Sequence, residues 1–251
     1  MSELPDEFLR ETVDRLTRLS TSADDGAFDP AIKMIADAID AGAIVQAFGT
    51  GHSQAFAMEI AGRAGGFIPT KNIALRDVVL FGDKDVSILS GGLLERDPSI
   101  VDDLWKTVEA QPGDVFVIAS NSGVNGTVVG LALLAKEHGH GVIAVTSLDH
   151  TMRVTPKHPS GKRLSEIADV VIDNLAPFGD TTLTIGDDIG VGAVSSMTAA
   201  FIAQLLTIGV AERLVAAGTV PPIYLSANIP AGDEHNHQLE DRYGDRLRRH
   251  A

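Results

Sequence analysis

Residues 43–53 read AIVQAFGTGHS, and residues 114–127 read DVFVIASNSGVNGT. Each opens on a short run of Ala, Val, Ile and Phe and then breaks into Gly, Ser, Thr and Asn. Apolar runs of this length, without polar alternation, predict strands buried on both faces, as in a parallel sheet lying under helices. A helical pattern follows each loop. One is predicted over residues 53–64, before Gly65-Gly66, and the other over 127–138, before Gly139.

Working outward, VIAVTS (142–147) and ADVVIDN (168–174) read as further buried strands, and FIPTKNI (67–73) as another. Residues 4–42 predict two helices. The second starts at Asp29-Pro30, an N-cap followed by proline at the first helical position, and stops at Gly42. Residues 76–96 read as irregular. Asp97-Pro98 opens a helix that ends near Gln111-Pro112-Gly113. Strand and helix alternate roughly every 25–30 residues, which predicts a doubly wound parallel sheet with right-handed crossovers. No repeat, low-complexity segment or linker interrupts the pattern. One domain is therefore expected over 1–251, with a helical N-terminal extension (about 4–42) and a C-terminal tail (about 226–251).

The 251 residues are 44% hydrophobic and 22% charged, which is ordinary for a globular protein. The absence of cysteine excludes a disulfide scaffold, a Cys nucleophile and a thiolate zinc site, and fits a reducing, cytoplasmic setting. The net charge of −14 disfavours nucleic acid and anionic lipid as partners. An anionic ligand then requires a pocket that is locally positive or rich in hydrogen-bond donors. The N-terminal segment is acidic and amphipathic, unlike a signal peptide. Residues 189–211 carry no charge and are long enough to span a bilayer. Ser195, Ser196, Thr198, Gln204 and Thr207 interrupt them, so they are read as a buried or interface helix.

Ligands bind such sheets outside the carboxyl ends of the strands. Two loops stand there: Gly49-Thr50-Gly51-His52-Ser53 and Ser120-Asn121-Ser122-Gly123-Val124-Asn125-Gly126-Thr127. Both offer hydroxyls, small residues that let an anion approach the backbone, and a helix start with free N–H groups. Helix capping alone explains either loop; the pair together points to an anion site. A dinucleotide fingerprint lacks its third glycine and its downstream acid, and a P-loop lacks Gly-Lys-Ser/Thr. On the first helix, His52, Glu59 and Arg63 share one face beside the apolar stripe of Phe56 and Ile60. Glu59 is read either as a general base at the edge of a cleft or as a surface partner of Arg63.

AFGTGHS, VIASNSG, VIAVTS and ADVVIDN together resemble the SIS domain of sugar-phosphate isomerases and binding proteins. EIAGR (59–63) resembles the Glu-x-x-Gly-Arg stretch of phosphoheptose isomerases, which implies that Glu59 is a catalytic acid/base. SGKRLSEIADVVIDN, Gly179-Asp180, PPIYLSANIPAGDEHN and Tyr243 resemble a group of single-SIS-domain proteins, and the likeness covers nearly the whole chain. It implies a three-layer α/β/α sandwich with a five-stranded parallel sheet, flavodoxin-like, in homodimers or homotetramers. The sequence also departs from the phosphoheptose isomerases. The late helix, read as Ala193 to Leu214, has no histidine and offers Ser195, Ser196 and Gln204. Asn125 stands where a serine is usual.

The resemblance implies an aldose–ketose isomerase working on an anionic sugar through an enediol, with no cofactor. Ser53, Ser120, Ser122 and Thr127 are expected to hold the anion, with Gly49, Thr50, Gly51, Arg63, Asn121 and Asn125 completing the substrate site. His52 or a C-terminal histidine, His235 or His237, is the expected second acid/base. Asp233, Glu234, His235 and His237 lack a regular ligand geometry, so no metal is expected. Lys157, His158, Lys162 and Arg163 read as a solvated basic loop. The rival readings are a lyase like the N-acetylmuramic acid 6-phosphate etherases and a non-catalytic sugar-phosphate sensor.

Overall fold

A computed structural model describes residues 3–247. Two helices open the chain, α1 (Leu4–Asp24) and α2 (Asp29–Asp40). Then follow β1 (Val45–Gly49), α3 (Gln54–Ile60), β2 (Thr70–Ile73), α4 (Asp77–Leu80), α5 (Val101–Val108), β3 (Val115–Ala119), α6 (Gly126–Glu137) and β4 (Gly141–Thr146). The last elements are α7 (Leu148–Arg153), β5 (Val170–Asp173), β6 (Thr181–Ile185), β7 (Ile189–Ala193), α8 (Ser195–Ala216) and α9 (Gly232–Glu240). β1 to β5 form one parallel sheet in the order β2-β1-β3-β4-β5. β1 is in register with β2 from Val45↔Thr70 and with β3 from Val45↔Val115.

Period-2 geometry divides the strand residues between two cores. Val45, Ala47, Val115, Val117, Ile143 and Val145 face a layer that includes α2, α3 and α8. Phe48, Phe116, Ile118, Val142 and Ala144 face α5 and α6. Each fully buried Phe, Ile or Val contributes about 1.5–3 kcal/mol. With both faces covered, the strands lose the polar alternation that would otherwise mark them, as the sequence predicts. The helices press close where glycine permits it. A Cβ on Gly209 of α8 would lie 2.4 Å from Ile32 of α2, and one on Gly130 of α6 would lie 2.7 Å from Val101 of α5.

Four sequence expectations are corrected. The charge-free run 189–211 is not one helix: Ile189–Ala193 pairs antiparallel with Thr181–Ile185, and α8 begins at Ser195. Gly190 packs where a side chain would strike Thr181, and Gly192 takes φ +73° against Phe8, so the first five residues suit a hairpin. Asp29 is the first residue of α2 rather than its N-cap, which is Phe28; its carboxylate still faces the positive end of the helix dipole. α3 stops at Ile60 because Ala61 is extended and Gly62 takes φ +76°, so Arg63 lies beyond the helix. The C-terminal tail, for which the sequence predicts no helix, contains α9, with Asn236 3% exposed.

Helix α8 is long and apolar enough to cross a membrane by length and composition. Here Thr198, Ile202, Leu206, Val210 and Leu214 of α8 are buried, and the four apolar ones belong to the core that covers one face of the sheet.

Candidate functional site

The sheet order reverses direction at β1 and β3, and the loops leaving those strands diverge to opposite faces. A crevice therefore opens between them at the carboxyl end of the sheet. The first loop forms a short 3-10 turn, Gly51–Ser53, that runs directly into α3. Gly49 makes this possible, since a Cβ there would lie 2.2 Å from the Ser53 carbonyl oxygen. The second loop bends at Gly123, whose φ of +64° and contacts to Thr146 and Thr151 leave no room for a side chain.

A narrow cleft between the loops is lined by His52, Ser53, Ser120 and Asn121. Asn174, at the end of β5, and Ser195 and Ser196, at the start of α8, close it. Its volume is about 10 Å³, room for roughly one water molecule, so a larger headgroup must sit at its mouth or widen it. Ser120 Oγ accepts from the Gly123 N–H (3.1 Å), and its own O–H has no acceptor among the described residues. Asn174 Nδ2 donates to Asn121 Oδ1 (3.1 Å), which leaves the Asn121 amide NH₂ unengaged among the described residues. Ser195 Oγ donates to Asp180 Oδ2 (2.6 Å), and Asp180 Oδ1 accepts from the Ser195 N–H (2.8 Å). The N-terminus of α8 thus already faces a carboxylate. His52 is the one imidazole on the cleft, and Lys and Arg are absent from its lining. Hydroxyls, amides and backbone N–H groups are its means of holding an anion.

The other expected residues lie elsewhere. Asn125 Nδ2 donates to Glu95 Oε1 (3.1 Å), and Thr127 Oγ1 donates to the Glu95 carbonyl (2.8 Å). The 94–98 segment presses so close to α6 that a Cβ on Gly126 would lie 2.5 Å from the Arg96 carbonyl oxygen. Ser122 is half-buried and is not among the residues lining the cleft. Glu59 is on α3, facing α8: Gln204 Nε2 donates to its Oε1 (2.6 Å), and Arg63 Nη1 donates to the same oxygen. His235 places Nε2 3.0 Å from the Ile223 carbonyl oxygen, away from the strand ends. In the basic loop, Arg163 donates to the carbonyls of Thr151 and Val154 and so folds back on its own chain. Among the described residues, no cluster of three His, Asp or Glu side chains could hold a metal ion.

Sequence reasoning missed Asn174, Asp180 and Glu95. Asn174 carried a signal, being the first residue after an apolar strand, where ligand contacts gather. Glu95 carried none, because a 3-10 turn brings it to the loop from a segment with no periodic pattern.

The SIS-domain family signature matches residues 7–147. A UPF0309 protein of Listeria monocytogenes serovar 1/2a is 38% identical over 86% of this chain and 88% of its own length. Among solved structures, a phosphoheptose isomerase from Francisella tularensis superposes with a TM-score of 0.54 at 14% identity, covering 84% of this chain and 100% of that one. An Escherichia coli CFT073 protein in complex with A5P superposes with a TM-score of 0.50 at 16% identity, covering 84% of this chain and 89% of the other. At such identities the two structures share the fold.

Proposed function

The chain belongs to the SIS-domain family, and from that premise we propose that it is a soluble, cytoplasmic aldose–ketose isomerase acting on a sugar with a terminal phosphate or similar anion. The observation that carries this reading is the convergence of Ser53, Ser120, Asn121 and Ser196 on one cleft at the β1/β3 crevice. These four donors suit a headgroup with three oxygens, and a cleft without Lys or Arg still binds an anion through charge-assisted hydrogen bonds. Backbone N–H groups of the Gly49–Ser53 and Ser120–Gly123 loops add to them.

Glu59 is the base. It lies six residues beyond Ser53, roughly 9 Å along the helix at 1.5 Å per residue. That spacing matches an extended sugar whose anionic end is held at the loops and whose C1–C2 end reaches α3. Glu59 removes the proton from C2 of the aldose while an acid protonates the C1 oxygen, giving the enediol. Return of a proton to C1, with loss of the proton on the C2 oxygen, gives the ketose. Gln204 and Arg63 both donate to Glu59 Oε1, so Oε2 is the oxygen left for the proton. His52 lines the cleft that holds the anionic end, so it serves the headgroup, and the acid at the C1 oxygen is a different group or a water. An E. coli protein of this fold bound to A5P adds support for a sugar-phosphate ligand.

Apolar side chains left on the surface support a homodimer or homotetramer. Ile208 (54% exposed) and Val215 (62%) on α8 and Met58 (57%) on α3 are among them.

Sugar phosphates of five to seven carbons, assayed for aldose–ketose interconversion, test the proposal. Glu59→Gln is expected to lower kcat about 10²–10⁴-fold, the range of general-base catalysis, while the folded state persists. Full activity in that variant would remove Glu59 from the mechanism. Lactate release from N-acetylmuramic acid 6-phosphate would replace the isomerase with a lyase, and tight binding without turnover would replace it with a sensor.

A further inference from the structure

A second and much larger cavity, of about 520 Å³, lies beside the edge strand β2. It shares no lining residue with the strand-end cleft. Its volume falls within the roughly 300–1,000 Å³ of small-molecule sites. One wall is the end of α3 and β2. The other is the segment after α8, which pairs with 65–68 and then leaves the sheet. Gly65 N–H donates to the Tyr224 carbonyl, Tyr224 N–H to Gly66, and Ile68 N–H to Pro222. From Tyr224 to Asn228 this segment lines the cavity, with Thr70 and Asn72 of β2 on the other side.

This wall is fixed from behind. Asn236, 3% exposed, accepts from the Leu225 N–H (2.9 Å) and donates to the Leu225 carbonyl (2.9 Å). His235 faces the Ile223 carbonyl from the same helix. The GDEHNH stretch of α9 therefore acts as a brace, and the pocket is preorganised before a ligand arrives.

The groups left for a ligand define its class. Arg76 lines the cavity, is exposed, and makes no ion pair or side-chain hydrogen bond among the described residues. Several other Lys and Arg side chains also lack an acidic partner among the described residues, but Arg76 is the one of them that lines this cavity. Arg63, also on the lining, is already neutralised by Glu59. One net positive charge in a planar fork suits one carboxylate or phosphate. Asn72 lines the cavity as well, and its side-chain amide has no hydrogen-bond partner among the described residues. Ser226 and Asn228 add polar groups on the facing wall.

We propose that this cavity is a second binding site, selective for a small polyhydroxylated anion, with Arg76 holding the acidic group and the Asn72 amide bonding to a hydroxyl. Isothermal titration tests it with D-gluconate and 6-phosphogluconate as the anions and D-glucitol as the neutral polyol. The protein for the test carries Ser53→Ala and Ser120→Ala, which removes the strand-end donors. At least one anion is expected to bind that protein, with glucitol at least about tenfold weaker. Adding Arg76→Gln, an exposed substitution, should weaken the anion by about tenfold or more, equivalent to about 1.4 kcal/mol. Asn72→Ala should weaken it several-fold. Failure of both anions to bind at about 10 mM, or affinity indifferent to Arg76→Gln, overturns the site. Anion binding by the wild type that vanishes with Ser53→Ala and Ser120→Ala also overturns it, and leaves the strand-end reading standing.

Discussion

Asp114 stands just before β3, fully buried, and four donors meet its carboxylate. The Ile44 N–H (2.9 Å) and Arg246 Nη2 (2.6 Å) reach Oδ1, while Gln46 Nε2 (3.0 Å) and the Gln111 N–H (3.0 Å) reach Oδ2. One side chain thereby ties the starts of β1 and β3 to the C-terminal segment. Asp114→Ala leaves those donors and a guanidinium unpaired, and urea unfolding should show a loss of about 3–5 kcal/mol. Asp169 makes a different case. Burial raises its pKa, but Lys136 and the Val142 N–H more than offset that and hold it below the usual carboxylate range. A carboxyl depressed in the folded state stabilises the fold above its unfolded pKa of about 3.9, and that contribution is lost as pH falls through the lower folded value. Wild type should therefore exceed Asp169→Asn in urea midpoint at neutral pH, and the gap should close as pH drops below about 4. Neither network shows in sequence, where an Asp before a strand looks like any turn residue.

At the scale of elements, α8 carries two apolar faces. Ile202, Leu206, Val210 and Leu214 are buried in this chain, while Met197, Ile208 and Val215 are turned to the surface. With Met58 on the neighbouring α3, the outer residues form an apolar surface of the kind that marks an interface. The proposed homodimer or homotetramer predicts that Ile208→Glu gives a monomer in light scattering at micromolar concentration without unfolding the chain. A wild type that is already monomeric would contradict the interface. The sequence made the apolar character of this helix plain. It did not separate residues 189–193 from it, because a hairpin strand rich in Gly, Ile and Val and a buried helix share one composition. Only the partner strand 181–185 distinguishes them.

For the whole molecule, the net charge of −14 opposes the approach of any anion, while the donors of the strand-end cleft act only at contact. Raising ionic strength from about 0.01 to 0.15 M shortens the Debye length from about 30 to 8 Å. The association rate of a sugar phosphate, measured by stopped flow, should therefore rise with salt. A rate that falls with salt would mean that a local positive field outweighs the global one. The sequence by itself determined the parallel sheet, its flanking helices and the two loops at the crevice, including Ser53, Ser120 and Asn121. Those features are local: apolar runs buried on both faces, glycine breaks and helix starts are written in consecutive residues. Only the tertiary structure decided that Asn174 and Ser196 close the cleft, that Glu95 takes Asn125 and Thr127 to itself, and that Gln204 meets Glu59. It also decided that the C-terminal segment walls a cavity on the open edge of β2. Each of these joins residues far apart in the chain, and such contacts follow from how the layers pack, which no short stretch of sequence encodes.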